Sequence, residues 1–167
     1  MRKETAFSDE QHSIIKKVEE LLNREAARAA KKLLDTLDEK SKAEYKITLL
    51  DLICRLHIRD ETCDMLMIEA EQHLAKSSDP IQKAAFFAFL SRGYQAKRIE
   101  PLAIKSIDDA IFLDPKNAAY PARKGHILLG FDKREEAEEP FINSDKLKSG
   151  SHGAYGAAYL AFVLGDF

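Results

Sequence analysis

Apolar residues recur at spacings of three and four along nearly the whole chain, and few segments alternate apolar with polar at period two. That periodicity predicts helices throughout. The first is announced by Ser8-Asp9-Glu10-Gln11. This is a capping-box pattern, in which the Ser hydroxyl and the Gln side chain satisfy free amides reciprocally. Its apolar stripe is Ile14, Val18, Leu22, Ala26, Ala29, Leu33 and Leu37, which stays on one face for about seven turns. One long helix and a hairpin bent near Asn23 satisfy that stripe equally. A second helix is expected over roughly 42–58, with Leu49, Leu52, Ile53 and Leu56 on one side, and a third over roughly 61–77, with Cys63, Met67, Ala70 and Leu74. The run KSSDP at 76–80 ends it, because Ser, Asp and Pro favour leaving a helix.

The texture then changes. All seven glycines lie at or after Gly93 and all five prolines at or after Pro80. Within AIFLDPKNAAYPARKGHILLGF a small residue, a Leu-Asp-Pro break and a new apolar helix follow one another. Reading back from Pro115 gives Ala110, Ile107, Ala103, Tyr94, Leu90 and Phe87. The next unit begins 34 residues on, near Ala118, with Gly125, Ala137 and Phe141 in the corresponding places. A third begins near Ser151 and offers Ala158, Ala161 and the turn GDF at 165–167. This pattern resembles the tetratricopeptide repeat, whose unit of about 34 residues carries a large aromatic, a Leu-Gly pair, a Tyr, then Ala, an aromatic, Ala and Pro. Ser91 and Ile107 depart in the first unit, and Pro121, Lys124 and Ser144 in the second.

The resemblance covers residues 81–167, about two and a half units. Residues 1–80 read as N-terminal helical hairpins, open to being degenerate repeats, and the two parts are expected to pack as one domain. The fold class is therefore all-α, with antiparallel helical hairpins stacked as a tetratricopeptide-like α-solenoid. Each hairpin cannot bury its apolar face alone, so units stack. Ala103, Ala110, Gly125, Ala137 and Ala158 sit where helices approach, while Phe87, Tyr94 and Phe141 fill the spaces between. Asp132 followed by Glu135 is expected to cap the second helix of the middle unit, and Pro101 suits a first turn. Pro140 predicts a kink, and Pro121 a delayed helix start.

In the resembled family the first helices line a concave face that commonly holds an extended peptide or a partner helix. Here that face would carry Ala88, Arg92 and Gln95, then Ala122, His126 and Leu129, then Tyr155, Tyr159 and Phe162, with Phe89 and Arg123 at the border. Aromatic and Arg side chains are the usual anchors of binding energy. The resemblance implies a non-catalytic adaptor or chaperone with a protein or peptide partner. The carboxylate clamp of some members departs here, since Ala88 and Ala122 stand where its polar groups belong and only Arg92 and Arg123 suit it. YPARKGHILL also resembles the corresponding helix of type III secretion chaperones. The alternative is a structural module that forms a homo-oligomer through its C-terminal aromatic helix.

Composition narrows the rest. A chain of 167 residues with 45% hydrophobic and 32% charged residues is long enough for a real core. Net charge is −2, and residues 1–80 carry 14 Lys+Arg against 17 Asp+Glu, residues 81–167 12 against 11. Neither half has the basic surplus of a nucleic-acid binder. The start MRKETAFSDEQH has no apolar run behind its basic residues, and AAFFAFL at 84–90 is too short to span a bilayer. A cytoplasmic protein without membrane contact is expected. Cys54 and Cys63 are read as core thiols, and with His57 and His73 they lack the spacing of a zinc site. Arg24, Arg28, Lys31 and Lys32 read as a solvated face with ion pairs, and EEAEE at 135–139 as an outer face. Phosphate loops, nucleophile elbows and metalloprotease motifs are absent from the sequence, so no catalytic residue, metal or cofactor is expected.

Overall fold

The computed structural model describes residues 8–58 and 62–147. Among them there are nine α-helices and no strand. The chain divides into two compact units between Leu66 and Met67. The third repeat unit expected from Ser151 lies outside the described residues.

The first unit holds α1 (Asp9–Asn23), α2 (Ala27–Asp35), the single turn α3 (Glu39–Lys42) and α4 (Tyr45–Ile58). Its core is Ile15, Val18, Ala30, Leu34, Ile47, Leu50 and Cys54. The capping box is formed: Ser8 Oγ accepts from the Gln11 amide at 3.2 Å, and Gln11 Oε1 accepts from the Ser8 amide at 2.8 Å. The open choice between one helix and a hairpin resolves to a hairpin, because Glu25 has φ 58°. The Lys31 ammonium of the expected basic face pairs with Asp35 and, at 3.1 Å, with Asp51.

The second unit holds most of α5 (Cys63–Lys76), then α6 (Pro80–Ala96), α7 (Glu100–Leu113), α8 (Ala119–Gly130) and α9 (Arg134–Lys146). Helix α6 pairs with α7 and α8 with α9, while α8 also packs on α7 and α6. Asp79 caps α6 by accepting from the Ile81 amide at 2.8 Å, with Pro80 in the first turn. In that order α6 and α8 are the first helices of two successive hairpins.

Three helices end in the same way. At α1 the Ala26 amide donates to Leu21 O at 2.8 Å and the Glu25 amide to Leu22 O at 3.0 Å. At α6 the Ile99 amide reaches Tyr94 O and the Arg98 amide Gln95 O. At α8 the Lys133 amide reaches Leu128 O and the Asp132 amide Leu129 O. Each is a Schellman motif, and its left-handed residue is Glu25, Arg98 or Asp132, at φ 58°, 60° and 60°. Arg98 and Asp132 are 34 residues apart, so the repeat extends to backbone conformation. This corrects the expected Asp132 cap: Asp132 ends α8, and the residue before α9 is Lys133, which makes no side-chain cap bond. A left-handed residue with a Cβ costs about 1–2 kcal/mol, and glycine's extra chain entropy returns about 0.5–1. Asp132→Gly, at an exposed position, is therefore expected to raise stability by about 0.5–1 kcal/mol in urea unfolding; an unchanged or lower midpoint contradicts this account of the turn.

The small positions are buried as the spacing requires. Ala103, Ala110 and Ala137 are fully covered, as are Ile107 and Phe141, which are equivalent across the repeat. Ser144, in the place of Ala110, is also fully covered, and its hydroxyl donates to Ala118 O at 2.7 Å. Gly125 faces the Phe141 ring so closely that a Cβ there would lie 2.6 Å from it. Pro101 lies in the first turn of α7 as expected. Pro121 does not delay its helix: α8 begins at Ala119, which places Pro121 third in it, where the missing N–H had no helical acceptor to lose. Pro140 is buried inside α9, which continues through it as one element.

Candidate partner-binding face

The first helices of the two hairpins differ in charge from the second. Helix α6 carries Lys83 and Arg92 and no acid, and α8 carries Arg123 and Lys124 and no acid. Helix α7 carries Glu100, Asp108 and Asp109, and α9 carries Glu135, Glu136, Glu138, Glu139 and Asp145. Within α6 to α9 these acids therefore stand on the second helices, while α6 and α8 carry cations and no acid.

Gln95 joins the two basic helices. Its Oε1 accepts from Arg123 Nη2, and its Nε2 donates to His126 O at 3.4 Å. Gly130 makes room for it, since a Cβ at that position would lie 2.5 Å from Gln95 Nε2. One turn on, Arg98 Nη1 donates to Gly130 O at 2.7 Å and its guanidinium lies 5.0 Å over the Phe131 ring. Arg92 sits one turn before Gln95 on the same side of α6, so the Gln95–Arg123 bond holds Arg123 beside the surface that carries Arg92. Burial lowers the pKa of Arg92. Burial, and then the charge of Arg92, pull Arg123 down to about 9. A guanidinium keeps its proton in proteins at neutral pH, so both side chains are cations there.

The structure thus brings Arg92, Gln95, Arg123 and His126 together. The His126 ring packs edge-on against Phe141 at 5.1 Å, and Leu129 is half-buried against Leu128, Ala137 and Phe141. Phe89 is corrected: it is 1% exposed, so it is core and lines no surface. Ala122 is buried likewise. Tyr155, Tyr159 and Phe162 lie outside the described residues. Sequence reasoning missed Arg98, whose role depends on a left-handed turn that no glycine marks.

Two lysines of this unit are paired with acids. Lys124 meets Asp108 at 2.8 Å and Lys133 meets Glu100 at 2.5 Å, and the bond to Glu100 raises the Lys133 pKa. Among the described residues no three His, Cys, Asp or Glu side chains converge as a metal site. Cys54 is buried, and burial, followed by Asp51, pushes its thiol up to about 11, which leaves it protonated and unreactive at neutral pH. No described helix is long and apolar enough to cross a membrane.

No family model matches the chain, and no curated protein matches it. Solved structures do resemble it. TTC0263, a thermophilic tetratricopeptide protein of Thermus thermophilus, matches with TM-score 0.68 at 13% identity, over 93% of this chain and 83% of that one. MamA of MSR-1 matches with TM-score 0.51 at 17% identity, over 95% and 88%. MamA of AMB-1 matches with TM-score 0.50 at 17% identity, over 93% and 83%. Likeness at such identities concerns architecture, and activity is argued from the site itself. Helical hairpins, a 34-residue recurrence of buried small positions and these structural neighbours agree: the chain has the all-α fold of tetratricopeptide-repeat proteins.

Proposed function

We propose that the protein is a non-catalytic adaptor or chaperone that holds an acidic segment of another protein, as an extended peptide or a helix, along α6 and α8. The observation that carries this reading is the separation of charge between first and second helices, with Arg92 and Arg123 on the first helices and in no ion pair with a described acid. Complementary charge speeds encounter and selects partners, and Arg side chains are frequent sources of binding energy. Gln95 and His126 add polar contacts, Leu129 an apolar one, and Tyr155, Tyr159 and Phe162 are proposed as the aromatic end of the same surface. The reading keeps the protein in the cytoplasm, where thiols such as Cys54 and Cys63 stay reduced.

Selection of displayed random peptides on the full chain tests it. Acidic sequences are expected to be enriched, to bind more weakly as salt rises, and to be lost on Arg92→Ala while helicity by circular dichroism is unchanged. Failure to enrich any peptide refutes the reading. So does a concentration-dependent dimer in light scattering that disappears in the Tyr159→Ala, Phe162→Ala double variant, since those rings would then join copies of the chain.

A further inference from the structure

Arg92 and Arg123 are half-buried cations of the second unit that form no ion pair with an acid among the described residues. Among the described residues neither guanidinium has a carboxylate in ion-pair contact, whereas Lys124 and Lys133 each have one. Arg123 spends one N–H on Gln95, yet its Nε is buried with no acceptor. A buried donor without a partner is costly, and a buried charge more so. The two groups also repel each other, which is part of what lowers Arg123. Gln95 nevertheless holds Arg123 in place, and Gly130 keeps Gln95 there. Acceptors and negative charge are what this locus lacks.

The amount of charge selects the chemistry. A single carboxylate brings one negative charge and two oxygens, so it neutralises one guanidinium. A phosphate monoester brings about −1.5 to −2 charges at neutral pH and three acceptor oxygens, which matches two guanidiniums. The planar fork of Arg fits phosphate oxygens two at a time. Ala88 and Ala122 add no polar group to the two helices beside these arginines. We propose that Arg92 and Arg123 together receive the phosphate of a phosphoserine or phosphothreonine in the bound segment, a proposal that rests on reading α6 and α8 as a peptide-holding face.

Three degenerate peptide pools, fluorescently labelled and alike except for a central phosphoserine, glutamate or serine, test it by anisotropy against the full chain. The phosphoserine pool is expected to bind at least about tenfold tighter than the glutamate pool. That preference is expected to vanish in Arg92→Gln and in Arg123→Gln, with helicity intact. Arg123→Lys, which keeps the charge and loses the fork, is expected to retain binding but lose most of the preference for phosphate over glutamate. If the glutamate or serine pool binds as tightly as the phosphoserine pool, the phosphate proposal falls and the peptide-holding face stands. If the preference survives in both glutamine variants, phosphate is received elsewhere and the assignment to these arginines falls. If none of the pools is retained, the face is no peptide site and both readings fall.

Discussion

Phe141→Ala is expected to cost about 3–5 kcal/mol of stability, the usual range for removing a fully buried ring. Phe141 is 0% exposed. It packs with Leu128 and Ala137, meets the edge of the His126 ring at 5.1 Å, and fills the space that Gly125 leaves open. The last contact explains the cost. Gly125 has no side chain that could relax into the cavity, so the space stays empty on that side. The glycine itself, lying within a helix, already gives up about 1 kcal/mol relative to alanine. A domain typically has about 5–15 kcal/mol in total, and the substitution takes a large part of it. Urea unfolding followed by circular dichroism checks the figure, and a loss below about 1 kcal/mol would show that the ring is not the core of the α8–α9 hairpin. The same packing predicts that Gly125→Ala is harmful in the wild-type chain and tolerated in a Phe141→Leu background, a coupling read from the double-mutant cycle.

That hairpin is legible in the sequence because its packing uses residue size. Gly125, Ala137 and Phe141 recur 34 residues after Ser91, Ala103 and Ile107, and small-against-large packing leaves a mark in composition. The turns are less legible. Glu25, Arg98 and Asp132 occupy left-handed positions where glycine is the usual signal, so the sequence alone leaves the break after Asn23 open and makes Asp132 look like a cap. The candidate face is legible as far as helical spacing reaches, which gives Arg92, Gln95, Arg123 and His126. Spacing gives direction from a helix axis but not depth, and Phe89, placed at the border, proves to be covered by neighbouring helices. Nor does spacing show whether an Arg meets an acid. That depends on which helices lie alongside: Lys124 meets Asp108 of α7, whereas Arg123, next to it in sequence, meets Gln95 of α6.

Arg123→Met is expected to move stability and binding in opposite directions. The side chain is half-buried, unpaired by any described acid, and repelled by Arg92, and its buried Nε has no acceptor among the described residues. Methionine covers similar space without charge or unmet donor, and replacing buried charges by apolar residues of similar volume is often stabilising by about 1–4 kcal/mol. The loss of the bond to Gln95 opposes this, yet Gln95 keeps its contact with His126 O, and one hydrogen bond is worth about 1 kcal/mol net. A net gain of about 1 kcal/mol follows, or about 2–4 °C in melting temperature for a chain of this length. The pH dependence has a definite sign. A base whose folded pKa is lowered binds fewer protons in the folded chain than in the unfolded one, so wild-type stability rises with pH only above the folded value. The advantage of methionine should therefore be constant through neutrality and shrink only past about 9, the value to which Arg123 is pulled. Binding of an acidic or phosphorylated segment should fall in the same variant, as it does when selection for function has kept a residue that stability alone would discard. A lower melting temperature in Arg123→Met would mean that the Gln95 bond outweighs the buried charge, making Arg123 a strut between α6 and α8.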